Sequence, residues 1–226
     1  QALGLSETMS NGNGDIYLQG TANPERWLYD LTLRADNIDW NMPDQYIHLP
    51  AGVSATLAAT EDFVDCRLDT DGVSMDFSSP TGLKTLTDKL AAVADAVQKQ
   101  IAVKNIDMAV LQKDMPDFNL HLNAGPRGIL GRLLHPQGIS VDTVYMDLCN
   151  ADSLLRGDIG VRNIATESMK LDTVTLRLSQ RGSLLDYRTH IGNTPKNMPE
   201  FASVNINGYV GGNRMSVSLN QRNSSG

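Results

Sequence analysis

The segment Asp142-Thr143-Val144-Tyr145-Met146-Asp147-Leu148 returns as Asp172-Thr173-Val174-Thr175-Leu176-Arg177-Leu178, and from 142 to 172 the offset is 30 residues. The copies keep step, because Ser153-Leu154-Leu155 reappears as Ser183-Leu184-Leu185. A third, diverged copy reads Met215-Ser216-Val217-Ser218-Leu219 and ends in Gln221-Arg222-Asn223-Ser224, where the second ends in Gln180-Arg181-Gly182-Ser183. A unit this short leaves its apolar side open until a neighbour covers it, so the repeat predicts one continuous array over residues 1–226.

Period two runs through the array. Val144, Met146 and Leu148 alternate with Tyr145 and Asp147; Val174, Leu176 and Leu178 with Thr173, Thr175 and Arg177; Tyr187 and Ile191 with Arg188 and His190. Val204 and Ile206, and then Met215, Val217 and Leu219, repeat the pattern. One apolar and one polar flank is the mark of antiparallel strands wetted on one face. The short links Asn150-Ala151-Asp152, Gln180-Arg181-Gly182 and Gly211-Gly212-Asn213 predict hairpins. Further strands are expected at Asp15–Gly20, Trp27–Ala35, Val53–Ala59, Phe63–Thr70 and Val73–Phe77. Phe118, Leu120 and Leu122 mark the return to sheet.

Between these strands the period changes. Ser79 suits a helix cap and Pro80 a first helical position. Leu83, Leu86, Leu90, Val93, Val97 and Ile101 then form one apolar stripe, expected to face the sheet, on a helical insertion at about residues 80–104. A second short helical turn is expected at Gly128–Leu134. The predicted class is therefore mainly β: an elongated, curled antiparallel sheet of repeated hairpins with one long amphipathic helix.

Composition narrows the function. A net charge of −7 disfavours nucleic acid. No apolar run is long enough to span a bilayer. Gln1 opens the chain without Met, and Ser225-Gly226 closes it where the second copy would enter its next strand. The expectation is a fragment of a longer repeat protein, with any membrane anchor outside it. Cys66 shares parity with Val64 and Leu68 while Cys149 opposes Met146 and Leu148, which favours two inert thiols over a disulfide. His48, His121, His135 and His190 lack partners at metal-ligand spacing, and His121 and His190 fall on polar flanks, so they read as solvated surface residues. Asn11-Gly12-Asn13-Gly14 and Asp69-Thr70-Asp71-Gly72 resemble calcium loops only faintly and suit turns better. No catalytic constellation appears, so the expectation is a non-enzyme without cofactor or metal.

The apolar flank needs a cover, since each buried Leu or Val contributes about 1.5–3 kcal/mol relative to exposure. A closed sandwich, the helix, or a U-shaped trough filled by a chain-like apolar ligand would each supply one. Here the strand-and-turn units Leu171–Gln180, Leu185–Asn193 and Val204–Val210, followed by Met215–Gln221, resemble repeats of the AsmA-like superfamily. They are most similar to the TamB-like translocation and assembly proteins of bacterial envelopes. The resemblance is one of texture, without an invariant motif, and the helical insertion has no counterpart in it. It implies a periplasmic protein anchored to the inner membrane, with a hydrophobic groove that bridges inner and outer membranes. It also implies phospholipid acyl chains and an outer-membrane assembly protein as partners. Under it the groove is lined by Val144, Met146, Leu148, Val174, Leu176, Leu178, Tyr187, Ile191, Val204, Ile206, Met215, Val217 and Leu219. The competing expectation is a structural or adhesive β-repeat domain with a closed core and no ligand.

Overall fold

A computed structural model describes residues 12–42, 45–49, 52–126, 128–193, 203–212 and 214–223. The strands are β1 (Gly12–Asn23), β2 (Leu28–Met42), β3 (Gln45–Leu49), β4 (Val53–Ala59), β5 (Val64–Thr70), β6 (Val73–Ser79) and β7 (Phe118–Ala124). They continue with β8 (Thr143–Ala151), β9 (Leu154–Ala165), β10 (Lys170–Arg181), β11 (Leu184–Gly192), β12 (Ser203–Gly211) and β13 (Arg214–Arg222). Three helices interrupt them: α1 (Leu83–Ala102) and α2 (Met108–Leu111) between β6 and β7, and α3 (Ile129–Leu134) between β7 and β8. All strands join one unclosed, curled antiparallel sheet in the order β1-β2-β4-β5-β6-β7-β8-β9-β10-β11-β12-β13, with β3 paired to the far end of β2 beside β4.

Tight turns explain why neighbours in sequence are neighbours in space. Asp152 and Ser153 both take positive φ (52° and 59°), the conformation that matches the natural twist of a two-residue hairpin. Gly72 (φ 74°) does the same between β5 and β6. The sequence repeat is the hairpin β8–β9 followed by the hairpin β10–β11. The third copy is misphased: Met215–Leu219 lies on β13, which runs antiparallel to β10, so the structural equivalent of β8 and β10 is β12. Alternation alone cannot tell the two strands of a hairpin apart, because both carry the same period.

The insertions cap opposite ends of the sheet. The helix begins later than the sequence suggests, since its N-cap is Gly82. Ser79 ends β6 instead, and its Oγ donates to the Asp117 carbonyl at 2.6 Å. Gly82 is pressed against the β4–β5 turn, where a Cβ would stand 2.0 Å from the Glu61 carbonyl oxygen. At the other end of the insertion, the Gly212 amide donates to the Ile106 carbonyl at 2.9 Å. The insertion thus reaches from the β4–β5 turn to the β12–β13 turn. Twenty helical residues extend about 30 Å, and the seven strand spacings from β5 to β12 cover about 34 Å, so α1 is a strut across strand ends.

That geometry corrects the expectation that the whole stripe faces the sheet. Leu86 is buried with Ala59 and Val64, and Leu83 packs against the same cluster beside Tyr29, Leu57 and Phe77. Val93 and Val97 are half-buried, whereas Leu90 is 45% exposed and Ile101 61% exposed. A helix that crosses strand ends touches the sheet mainly where it lands.

After α1 the chain returns over the apolar face and is held by polar bonds. Gln112 Nε2 donates to Asn150 Oδ1 at 2.8 Å and to Gln180 Oε1 at 2.5 Å. Asn150 Nδ2 donates to the Pro116 carbonyl at 2.9 Å, and the Leu155 amide also donates to Gln180 Oε1. Asn150 and Gln180 occupy apolar parity at the ends of β8 and β10, and both are buried. At the opposite end α3 leans on the β5–β6 turn. The Ile129 amide donates to the Asp71 carbonyl at 3.0 Å, and Arg132 pairs with Asp71 at 2.8 Å.

Asn150→Ala removes one acceptor and one donor of this seam and leaves the Pro116 carbonyl without its buried partner. The expected cost is about 1–3 kcal/mol in denaturant unfolding, together with faster proteolytic cutting in residues 103–117. Unchanged stability and unchanged cutting would show that the seam does not hold the cap.

Candidate functional site: the apolar face

Antiparallel register carries one side-chain row across the full width of the sheet. The row reads Leu18, Leu33, Ala55, Leu68, Met75, Leu122, Met146, Ile159, Leu176, Thr189, Ile206, Leu219, each directly opposite the next. Eleven of these twelve residues are apolar, and the span at about 4.8 Å per strand is roughly 50 Å.

The residues expected to line a groove fall on this row and the two beside it. Val144, Val174, Ile191 and Val204 share one flanking row; Leu148, Leu178, Tyr187 and Val217 share the other. Met146, Leu176, Ile206 and Leu219 are in the central row, and Met215 pairs with Val210 one step further along the same face. The structure therefore brings all thirteen together on one face. Sequence reading placed Leu33, Leu68, Met75 and Leu122 in strands but did not carry the apolar row through them. The row is weak there because Ala55 and Gly20 offer little apolar bulk and because the positive-φ residue Asn37 interrupts β2.

Burial shows how this face is covered. Among the described residues the buried hydrophobic side chains are Ala35, Ala59, Val64, Leu86, Met108, Leu111, Ala124 and Val141. All but Ala35, which lies mid-strand in β2 where its pairing with β4 ends, lie at a strand end or within an insertion. The interior of the central row is only half-buried, and its edges are open: Leu18 is 68% exposed and Leu219 65%. The chain exposes 14537 Å² in all, whereas a compact monomer of this mass exposes about 10,000 Å².

The opposite face is polar along its length. Its matching row runs Arg67, Asp76, His121, Asp147, Asp158, Arg177, Arg188. Asp147 and Asp158 stand directly opposite each other, an unfavourable pairing for like charges. Each finds relief outward: Asp147 bonds His121 Nδ1, and Asp158 accepts from Arg177 Nε at 3.1 Å. Tyr145 Oη reaches Asp158 at 3.3 Å, and burial, reinforced by that carboxylate, pushes the phenol pKa up. An open groove of about 770 Å³ lies among these side chains, floored by β5 to β9. No group of three His, Cys, Asp or Glu side chains among the described residues is placed to hold a metal ion.

The histidines take separate places. His48 bonds Asp39 at 2.7 Å, and Tyr46 donates to the same carboxylate, which lowers the Asp39 pKa. His190 bonds Asn205 at 2.8 Å, and His135 is exposed. The two thiols are free and stand on opposite faces, Cys66 between Leu57 and Phe77, Cys149 between Asn119 and Arg156. Of the two turns that faintly resemble calcium loops, Asp71 is engaged with α3, and Asn11 lies outside the described residues.

No protein-family model, curated protein or solved structure matches this chain. No helix among the described residues is long and apolar enough to cross a membrane.

Burial, with a smaller contribution from the Asp65 carboxylate, raises the Cys66 thiol pKa. A raised pKa keeps the thiol neutral, so less reactive thiolate is present at any given pH. In a Cys149→Ala background, the maleimide labelling rate of folded protein should rise only at higher pH than that of urea-unfolded protein. Coincident pH profiles would mean that the apolar face is fully wetted at β5.

Proposed function

We propose that this chain is a lipid-handling module of the bacterial envelope, of the TamB-like kind within the AsmA-like superfamily, and that its apolar face shelters phospholipid acyl chains. One observation carries the reading: an apolar row runs unbroken but for one threonine from edge to edge, and among the described residues no second layer of protein covers its middle. A face of that kind offers an acyl chain about 0.8 kcal/mol per sheltered CH₂ without specific polar contacts. The aliphatic character of the row suits flexible chains better than flat ligands. In this reading the sheet is a U-shaped trough, α1 is the long amphipathic helix that props one end, and the exposed part of its stripe adds to the lining. The module works in the periplasm, as part of a protein anchored to the inner membrane. It passes lipid toward the outer membrane, or serves assembly there beside an outer-membrane assembly protein. No residue acts as a catalyst, and no cofactor or metal takes part.

Native mass spectrometry of protein expressed in bacteria should find phospholipid retained on the folded chain. Leu176→Glu puts a charge in the interior of the row, where the native side chain is only half-buried. That variant should keep its circular dichroism spectrum and lose the lipid. Two results would overturn the proposal: native protein that carries no lipid, or a Leu176→Glu chain that unfolds as a sealed core would.

A further inference from the structure

Among the described residues β1 bonds only β2 and β13 bonds only β12, which leaves both edges of the sheet unpaired there. We infer that they pair with each other between copies of this chain, β13 of one molecule against β1 of the next, to continue the sheet head to tail. This inference does not depend on the lipid reading.

Direction comes first. The path from β1 to β13 crosses twelve strands that alternate in direction, so the two edge strands run opposite ways. Placed side by side in the next copy they are antiparallel, and the apolar faces of both molecules fall on the same side. Length agrees as well. Pairing of β1 with β2 is irregular between Asn13 and Asp15 and regular from Asp15 to Asn23, which is as long as β13 from Arg214 to Arg222.

Register is then fixed by two demands. Keeping the apolar faces together allows only shifts of two residues. Extending the central row puts Leu219 opposite Leu18, and that register sets Arg214 opposite Asn23, the last residue of β1, and Arg222 opposite Asp15. The strand ends therefore align, and the one carboxylate of β1 meets an arginine. Apolar side chains along the joint are open on both strands: Ile16 is 72% exposed, Met215 72% and Val217 56%. Neither strand carries the proline or lysine that commonly protects a free edge, and β13 is uncharged between its terminal arginines. A head-to-tail contact of this sort builds rings or open filaments rather than closed dimers.

Sedimentation velocity of the full 226-residue chain over a concentration series provides the test. Dimers and longer species should grow with concentration. Asp15→Arg and Arg222→Asp should each weaken association about tenfold, by placing like charges opposite, and the Asp15→Arg/Arg222→Asp double variant should restore it. Both positions sit on exposed edges, and circular dichroism of each variant checks the fold; should one variant fail to fold, the other still carries the comparison. A native chain that stays monomeric at every concentration overturns the inference. So does assembly that is indifferent to either reversal, or that the double reversal fails to rescue.

Discussion

Side chains alternate across a strand, and antiparallel register carries that alternation from one strand to the next. Everything else in this protein follows from how faithfully the chain keeps it. A single slip of β10 by one residue would turn Leu176 to the charged face beside Asp158, turn Arg177 to the apolar face, and break the apolar row in two. The tight turns prevent that. Asp152 and Ser153 in left-handed conformation leave no slack between β8 and β9, and Gly72 does the same for β5 and β6. The result is a sheet that is apolar on one face and charged on the other, without a second sheet to close over the apolar side.

Stability must then come from places other than a central core. The buried hydrophobic groups gather under the insertions: Leu86 with Ala59 and Val64 at one end, and Met108 and Leu111 in the return segment. The polar seam of Gln112, Asn150 and Gln180 belongs to the same end. Such bonds contribute modestly when made and cost more when broken, so they favour one placement of the insertion over many similar ones. On the charged face the close pair Asp147 and Asp158 is tolerated because His121 and Arg177 flank it.

Much of the sheet was legible from residues alone. Period two located β4 to β6 and β8 to β13 and put all thirteen residues from Val144 to Leu219 on one parity, which the register carries onto one face. Turn chemistry gave the neighbours. What escaped has physical causes. The strand β3 is too short for its alternation to register, and Asn37 hides the continuity of β2. The strut α1 was recognisable as a helix from its three- and four-residue spacing, but not as a beam across strand ends. Its direction is set by where Gly82 packs against the β4–β5 turn and where Ile106 is bonded to Gly212, and neither contact leaves a periodic trace. The buried Asn150 and Gln180 read as turn residues, because a polar side chain at a strand end looks the same whether it meets water or another chain segment.

Among the described elements β7 has a helical insertion on each side, and that position bears on the order of assembly. Hairpins on either flank form from neighbours a few residues apart and close quickly. Joining β6 to β7 means bringing together Ser79 and Asp117, 38 residues apart, against the entropy of the intervening loop. The expectation is that two half-sheets form first and that β7 stitches them last. Until it does, each half carries one extra raw border, so pulse-labelled amides in β7 should gain protection later than those of β5 or β10.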